Sequence, residues 1–212
     1  MPARASARAL CGSSGLGRQF GAVAACVRKG RIAHVQADVH QAAFHPAPVP
    51  EQIYSAFAAE FPKASVSKVP EFLPDVVMKK IDGTEHRFAD FKGTPTLVNL
   101  WATWCTPCIV ELPSLQKLSE HYKGRMNVIA VSVDQGRDLA AISGFLEKRM
   151  VGDFAGYLDI TGGFIGNPNI SGIPTSFLIG SDGLILYRFE GDADWTSETA
   201  RAFFDSFLST SQ

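Results

Sequence analysis

The sequence has little of what marks several large classes of protein. Its 212 residues carry a formal net charge of −1, so charge gives no sign of a nucleic-acid partner. No stretch approaches the ~18 consecutive apolar residues of a membrane span. Four cysteines are too few, in a chain of this length, for a disulfide-rich miniature scaffold. What remains is an ordinary globular composition, with 46% hydrophobic and 19% charged residues.

Residues 1–65 differ from the rest, and we assign them to an N-terminal targeting, tether or disordered segment. Before the first acid, Asp38, arginine and lysine are set among alanine, serine and glycine. Val23–Cys26 resembles the cleavage box of a bacterial lipoprotein, which would place a lipid on Cys26. A basic, acid-poor start also fits an organelle transit peptide, a disordered tail or a wrongly chosen start codon. These interpretations all stay open at this point.

The remaining residues, 66–212, have the pattern of one folded domain. A short amphipathic helix is predicted before this domain, at Glu51–Phe61. Within the domain, turn residues predict two hairpins, at Val76–Phe88 around Asp82-Gly83 and at Thr175–Phe189 around Ser181–Gly183. Between the hairpins, apolar periodicity predicts a strand at Thr96–Trp101, a helix after Cys105, a strand at Asn127–Val133 and a helix at Leu139–Met150, and a last helix follows at Thr196–Leu208. Strand–helix–strand units require parallel pairing with right-handed crossovers, and the last hairpin adds antiparallel strands. We therefore expect an α/β fold with a mixed central sheet and helices on both faces.

Cys105 and Cys108 form a closely spaced pair in the stretch WCTPC. A structural zinc site needs about four ligands, and here there is no second cysteine pair, while His86 and His121 are isolated. A structural disulfide across so short a loop would constrain the unfolded chain little. A CxxC beside a strand–helix pattern is typical of redox proteins, so we interpret the pair as a redox-active dithiol, with zinc and a structural staple as alternatives.

The position of Cys105 at the predicted start of a helix favours its thiolate. Unpaired backbone N–H groups and the positive end of the helix dipole stabilise the negative sulfur, so we expect a thiol pKa below the ~8.5 of free cysteine. The thiolate is the attacking species in disulfide exchange, and Cys108, one turn further on, can resolve a mixed disulfide. Trp104 can shelter one side of the pair, while Thr106 and Pro107 help to set its reduction potential.

The stretch Gly172-Ile173-Pro174-Thr175 precedes a predicted strand. A proline at such a place is restricted to the first residues of the strand, which is its plain structural interpretation. The functional interpretation is a cis proline that packs against the CxxC and presents the backbone of Ile173 to a substrate strand.

Several motifs together resemble the thioredoxin superfamily: WATWCTPC, the ELP after it, GIPTSFLI and SDG. More closely, the sequence is similar to the TlpA/ResA/CcmG-like branch of bacterial envelope thiol-disulfide oxidoreductases, over about Pro70 to Leu208. The leading hairpin, FKGTPTLVNLWATWC and the long insert before Gly172 fit that branch. The resemblance implies a thioredoxin-like fold with an N-terminal β-hairpin extension. In that fold Cys105 is the nucleophile, Cys108 the resolving thiol and Pro174 the cis proline.

The resemblance also implies proton chemistry beside the pair. Thioredoxin carries a buried aspartate on the strand before the motif, and here the matching residue is Asn99, which takes up no proton. An acid shortly after the CxxC is a common companion in the TlpA-like branch, and Glu111 stands there. We hypothesise that Glu111 shuttles or tunes the proton of Cys108, with a pKa raised by partial burial. The alternative is an ordinary exposed helix glutamate.

The function that the resemblance implies is thiol-disulfide oxidoreduction, in the reducing direction, on disulfides of envelope proteins during cytochrome c or copper-site maturation. Trp104, Thr106, Pro107 and Ile173 would bind the substrate. No cofactor or metal is expected beyond the redox-active disulfide of the cysteine pair. The same family places the chain on the periplasmic side of the bacterial envelope, with an upstream membrane electron donor and a membrane or lipid tether through the N-terminus.

Three other functions remain as alternatives. A peroxiredoxin-like thiol peroxidase needs a lone peroxidatic cysteine with a threonine and an arginine, and the tight cysteine pair argues against it. A copper-binding assembly factor shares the fold but spaces its cysteines more widely and adds a histidine, and no histidine stands near Pro174 in the sequence. A binding module without turnover would differ from an enzyme in an insulin-reduction assay.

Overall fold

The computed structural model describes residues 49–67, 71–167 and 169–210. Its helices are Glu51–Glu60 (α1), Thr106–His121 (α2), Leu139–Glu147 (α3) and Glu198–Thr210 (α4). Its strands are Ala64–Val66 (β1), Met78–Lys80 (β2), Glu85–His86 (β3), Thr96–Trp101 (β4), Asn127–Ser132 (β5), Tyr157–Asp159 (β6), Thr175–Ile179 (β7) and Ile185–Glu190 (β8). The predictions of a lipid on Cys26 and of a targeting or disordered segment over residues 1–48 lie outside the described residues. None of the described helices is long and apolar enough to cross a membrane.

One mixed sheet contains the eight strands in the order β1-β8-β7-β4-β5-β6-β2-β3. Strand β5 runs parallel to both β4 and β6, whereas β7 is antiparallel to β4 and β8 is antiparallel to β7. All six residues of the central strand β4 are buried, which explains its continuous apolar sequence. The predicted α/β fold with a mixed sheet is confirmed.

Both predicted hairpins are present. Strand β2 pairs with β3 across Asp82-Gly83, and β7 pairs with β8 across the turn that contains Gly183. Gly83 and Gly183 each have φ near +89°, a backbone conformation that favours glycine over other residues. The first hairpin joins the sheet through β2, which pairs with β6, and this is the predicted N-terminal hairpin extension.

Two short strands were not predicted. Strand β6 lies in the long insert before Gly172, for which the sequence predicted no strand, and β1 pairs with the edge of β8. Each is only three residues long, so neither is long enough to show an alternating pattern. All three residues of β6 are buried, so contacts distant in sequence determine this strand.

Helix α1 is the predicted amphipathic helix, and it packs within the domain. Phe57 is fully buried and stacks on Phe61 and on Phe203 of α4, with ring centroids 4.0 and 4.4 Å away. The predicted boundary between residues 65 and 66 therefore cuts through β1 and separates α1 from the domain that contains both elements. The structure places both in the packed domain, because the apolar face of α1 is buried against α4 and β1 completes the edge of the sheet.

The core lies on both faces of the sheet. Consecutive residues of β4 enter different apolar clusters, Leu97 one and Val98 the other, as expected when side chains alternate across a strand. The first cluster is mainly aromatic and lies under α1 and α4: Phe57, Phe61, Tyr187, Phe189, Trp195, Phe203, Phe204 and Phe207 belong to it. The second contains the inward residues of α3 and both cysteines of the pair. The CxxC is thus anchored in the core.

Candidate active site

Cys105 and Cys108 lie where β4 is followed by α2, and they form a disulfide with an S–S distance of 2.04 Å. Cys105 has an extended backbone and is the N-cap of α2, and its Sγ accepts a hydrogen bond from the Cys108 N–H at 3.3 Å. Cys105 is 6% exposed, whereas Cys108 is fully buried. The predicted position at a helix N-terminus is confirmed, and solvent reaches Cys105 but not Cys108.

An exposed, partly apolar surface surrounds the disulfide. Trp104, immediately before the pair, is 64% exposed, and Val110 on the first turns of α2 is 68% exposed. Thr106 and Pro107 are exposed between them. Exposed apolar side chains grouped around a reactive site are typical of a surface that contacts another protein.

The structure brings Ile173 and Pro174 to this end of the sheet. The peptide bond between them is cis, as the functional interpretation of GIPT requires. Because Thr175 pairs with Leu100 across β7 and β4, Pro174 lies at the end of the sheet where β4 ends and the chain continues to Cys105. Ile173 is half-buried and packs against the apolar cluster that contains both cysteines.

Glu111 is buried one turn after Cys108, with only 2% of its surface exposed. The alternative of an exposed helix glutamate is therefore wrong. Its Oε1 accepts a hydrogen bond from Asn99 Nδ2 at 2.7 Å. Its Oε2 accepts from Trp195 Nε1 at 3.1 Å and from the Ala193 N–H at 3.2 Å.

Two opposing effects determine the proton affinity of this carboxyl. Burial disfavours the charged form and raises the pKa of Glu111 to about 7, and the charge of Asp192 adds to that effect. The hydrogen bonds from Asn99, Trp195 and Ala193 stabilise the carboxylate and lower the pKa in part. A carboxyl with a pKa near neutrality can accept and return a proton under ordinary conditions.

Asn99 supports Glu111 from the central strand. Its Nδ2 also donates to Ser176 Oγ at 3.0 Å, so the amide bridges β4, α2 and β7. The Asn99 side chain is fully buried, and its Oδ1 has no hydrogen-bond partner among the described residues. The titratable acid of this site is therefore on the helix, with a neutral amide on the strand where thioredoxin has its aspartate.

Asp134 fixes the loop that precedes the nucleophile, and sequence reasoning missed it. Its buried carboxylate accepts hydrogen bonds from the Thr103 N–H at 2.9 Å, the Thr103 hydroxyl at 2.7 Å and the Ser132 hydroxyl at 2.7 Å. Arg137 Nε lies 3.1 Å from the same carboxylate. Asp134 thus joins the end of β5 to the chain two residues before Cys105. An acid directly after a buried parallel strand was the available signal.

These features together define a class of protein. An accessible sulfur at a helix N-terminus, a buried partner sulfur and a neighbouring cis proline on a mixed sheet are the parts that a thioredoxin-type thiol-disulfide oxidoreductase needs. In the part of the chain that the structure describes, no group of three or more His, Cys, Asp or Glu residues is arranged to hold a metal ion.

Comparison with known proteins gives the same class. Residues 67–203 match the redoxin family. Thiol-disulfide oxidoreductase ResA of Geobacillus kaustophilus (strain HTA426) is 30% identical over 138 residues, which cover 65% of this chain and 78% of that protein. ResA of Bacillus thuringiensis subsp. konkukian (strain 97-27) is 29% identical over 140 residues, covering 66% and 79%. The crystal structure of StoA from Bacillus subtilis is 25% identical with a TM-score of 0.50, covering 68% of this chain and 99% of that one.

The chain belongs to the redoxin family and is a thioredoxin-like thiol-disulfide oxidoreductase of the TlpA/ResA/CcmG-like kind.

Proposed function

We propose that this enzyme reduces disulfides of bacterial envelope proteins, with Cys105 as the attacking sulfur and Cys108 as the resolving one. The observation that carries the proposal is the unequal exposure of the two cysteines at the start of α2. Cys105 is 6% exposed and its Sγ accepts a hydrogen bond from the Cys108 N–H, whereas Cys108 is fully buried. A target sulfur of protein size therefore meets Cys105 first.

The reaction proceeds in two exchanges. In the reduced enzyme the Cys105 thiolate attacks one sulfur of the target disulfide, that bond breaks, and the other target sulfur leaves as a thiolate and takes up a proton. Cys108 then gives its proton to Glu111 and attacks Cys105 Sγ, which releases the second target thiolate. Two electrons pass to the target, and the enzyme ends with the Cys105–Cys108 disulfide that the structure contains.

Glu111 has a specific task in the second exchange. Cys108 is fully buried, so water cannot readily remove its proton. Glu111 follows one turn along the same helix, and its pKa, raised by burial to about 7, suits a group that takes a proton and later returns it.

The substrate surface is formed by exposed side chains and by one free stretch of backbone. Trp104, Thr106 and Pro107 line one side of Cys105. On the other side, among the described residues, no hydrogen bond engages the N–H or C=O of Ile173. Those two groups are available to pair with an extended segment of the target, which would hold its sulfur over Cys105.

The setting that we propose is the periplasmic side of the bacterial envelope. The resemblance to the TlpA/ResA/CcmG-like branch supports this location and a role in cytochrome c or copper-site maturation. Because each cycle leaves Cys105 and Cys108 oxidised, the enzyme needs a thiol reductant to start again. We assign that task to a membrane electron donor, and a tether through the N-terminal segment would keep the enzyme near it.

A Cys108→Ser variant tests this proposal by capturing the target. With the resolving thiol removed, the first exchange still occurs and the mixed disulfide on Cys105 is expected to accumulate. The captured proteins can be identified by mass spectrometry after non-reducing electrophoresis of envelope extracts. The matched control is Cys105→Ser/Cys108→Ser, which is expected to capture none.

Captured apocytochromes c or copper-site proteins would support the proposed setting. Two results would count against the proposal: equal capture by the control, or a Cys105 that consumes peroxide and forms no mixed disulfide. The second result is the one expected of a thiol peroxidase.

A further inference from the structure

Helix α1 is linked to the buried carboxyl of Glu111 through two aromatic side chains. The ring of Phe61, which ends α1, lies 5.5 Å from that of Trp195. Trp195 is fully buried, and its Nε1–H donates to Glu111 Oε2 at 3.1 Å. Helix α1 precedes the redoxin match, which begins at residue 67. The contact therefore joins a segment outside the family match to the centre of the site.

We propose that α1 is a positioning element of this active site, in which Phe61 holds the Trp195 indole against Glu111 and so keeps the carboxylate hydrogen-bonded. The inference rests on the proposed role of Glu111, but it does not depend on which protein is the substrate. Phe61 and Trp195 act through Glu111 and are positioning residues.

The packing around Trp195 leaves its indole little freedom. Phe61 lies at one side, and the Phe189 ring lies 5.6 Å away at an edge-to-face angle. Phe61 is itself held by Phe57, whose ring stacks on it at 4.0 Å and is fully buried. The Trp195 backbone N–H also donates to Ser114 Oγ of α2, at 3.4 Å. Removing the Phe61 ring takes away one of the contacts that hold the Trp195 indole, while the contact with Phe189 and the hydrogen bond to Ser114 remain.

The effect of α1 on Glu111 is exerted through packing rather than through charge. The charged group that raises the pKa of Glu111 is Asp192, from the loop after β8. Cys108, on the same helix, is held in the disulfide and does not titrate in the oxidised protein. Strands β4 and β7 contribute Asn99 and Ser176, which do not titrate. On α1, the acid next to Phe61 is Glu60, and it accepts a hydrogen bond from the Thr199 hydroxyl.

The direction of the expected change follows from the hydrogen bond. The Trp195 N–H stabilises the ionised form of Glu111, so its loss raises the pKa of that carboxyl. A hydrogen bond to a charged group is strong enough to change the proton affinity of Glu111 by roughly tenfold. Phe61→Ala is expected to change it in the same direction but by less, because the indole is loosened and not removed.

The test is a titration of the Glu111 carboxyl by carbon-13 NMR in the oxidised full-length protein. We compare the wild type with Trp195→Phe, which keeps a ring but lacks the donor, and with Phe61→Ala. The matched control is Tyr54→Ala, which removes another aromatic ring from α1 that contacts Tyr187 instead of Trp195. We expect a raised Glu111 pKa in the first two variants and no change in the control.

A double variant separates this mechanism from general loosening. In Trp195→Phe, where the donor is already absent, adding Phe61→Ala is expected to leave the Glu111 pKa unchanged. Additive shifts, an unchanged or lowered pKa in Phe61→Ala, or an equal shift in Tyr54→Ala would each overturn the proposal. If Phe61→Ala does not fold, Phe61→Leu retains an apolar side chain and takes its place in the same comparison.

The two proposals fail in different ways. If the Glu111 pKa changes as expected but Cys108→Ser captures no target, the positioning role of α1 stands and the proposed function fails. If the target is captured and the Glu111 pKa does not respond to Phe61, the proposed function stands and the positioning role of α1 fails.

Discussion

Replacing Cys105 by serine is expected to lower the rate of insulin reduction by on the order of 1,000-fold or more, because the variant loses the nucleophile itself. A serine hydroxyl at the N-cap of α2 does not ionise at neutral pH, and the remaining thiol of the pair, Cys108, is fully buried. The assay follows precipitation of the insulin B chain with dithiothreitol as the reductant.

The control variant is Cys11→Ser/Cys26→Ser, which removes the other two cysteines and keeps the pair. We expect it to retain the wild-type rate. Cys105→Ser activity within tenfold of the wild type would mean that another group attacks the target, and the assignment of Cys105 would then be wrong.

Glu111→Gln is expected to remove a large pH dependence of stability. In the folded enzyme burial raises the pKa of Glu111 from 4.5 to about 7. Below the lower value the carboxyl is protonated in both the folded and unfolded states. Between the two values the unfolded state ionises while the folded state keeps its proton, so stability falls as pH rises from about 4.5 to about 7 and stays low above that range, where the folded state buries the charge. The free energy of unfolding of the wild type is therefore expected to fall by about 3 kcal/mol relative to Glu111→Gln.

The glutamine variant is suited to this comparison because the site can accommodate it. Its Oε1 can accept from Trp195 and the Ala193 N–H, as one carboxylate oxygen does in the wild type. Its amide can donate to Asn99 if that side chain rotates, since Asn99 Oδ1 has no partner among the described residues.

Urea denaturation of both oxidised proteins at about pH 4 and about pH 8, on either side of the two pKa values, measures this difference. All other titrating groups are the same in the two proteins, so their contributions cancel. Parallel pH dependence in the two proteins would show that Glu111 titrates normally. The reactivity of Cys108 should change as well: superimposable thiolate pH profiles for the reduced wild type and Glu111→Gln would refute the role of Glu111 in its proton transfer.

The sequence predicted the central elements well because their signals are local. Strand β4 has the predicted bounds, since a fully buried strand shows a continuous apolar run. Strand β7 begins at Thr175, where the predicted second hairpin begins. Strands β1 and β6 were missed, because three residues fixed by pairing with distant strands carry no period of their own.

The same distinction applies to the active site. Cys105 and Cys108 were visible from their spacing and Glu111 from the family resemblance, because all three lie close together in the sequence. Trp195 was not, because it reaches Glu111 from 84 residues further along the chain and no spacing rule joins the two. Asp134 lies 31 residues from Thr103, and only the parallel pairing of β4 and β5 places it behind the loop.

Asn99 and Glu111 show how the sequence and the structure complement each other. The sequence revealed that the strand position lacks a titratable group and that an acid follows the cysteines. The structure shows that the two side chains are hydrogen-bonded at 2.7 Å, so the neutral amide holds the acid in a buried place. Burial is what brings the pKa of Glu111 to about 7, and no residue pattern alone gives the extent of burial.

The most direct measurement is a titration of Cys105 in the reduced protein, with Cys108→Ser to isolate its signal, by thiolate absorbance or by the pH dependence of alkylation. The start of α2 offers the sulfur a backbone N–H, so the account predicts a midpoint below the ~8.5 of free cysteine. A midpoint equal to that of free cysteine, together with a wild-type pair that does not close and reopen reversibly, would contradict it.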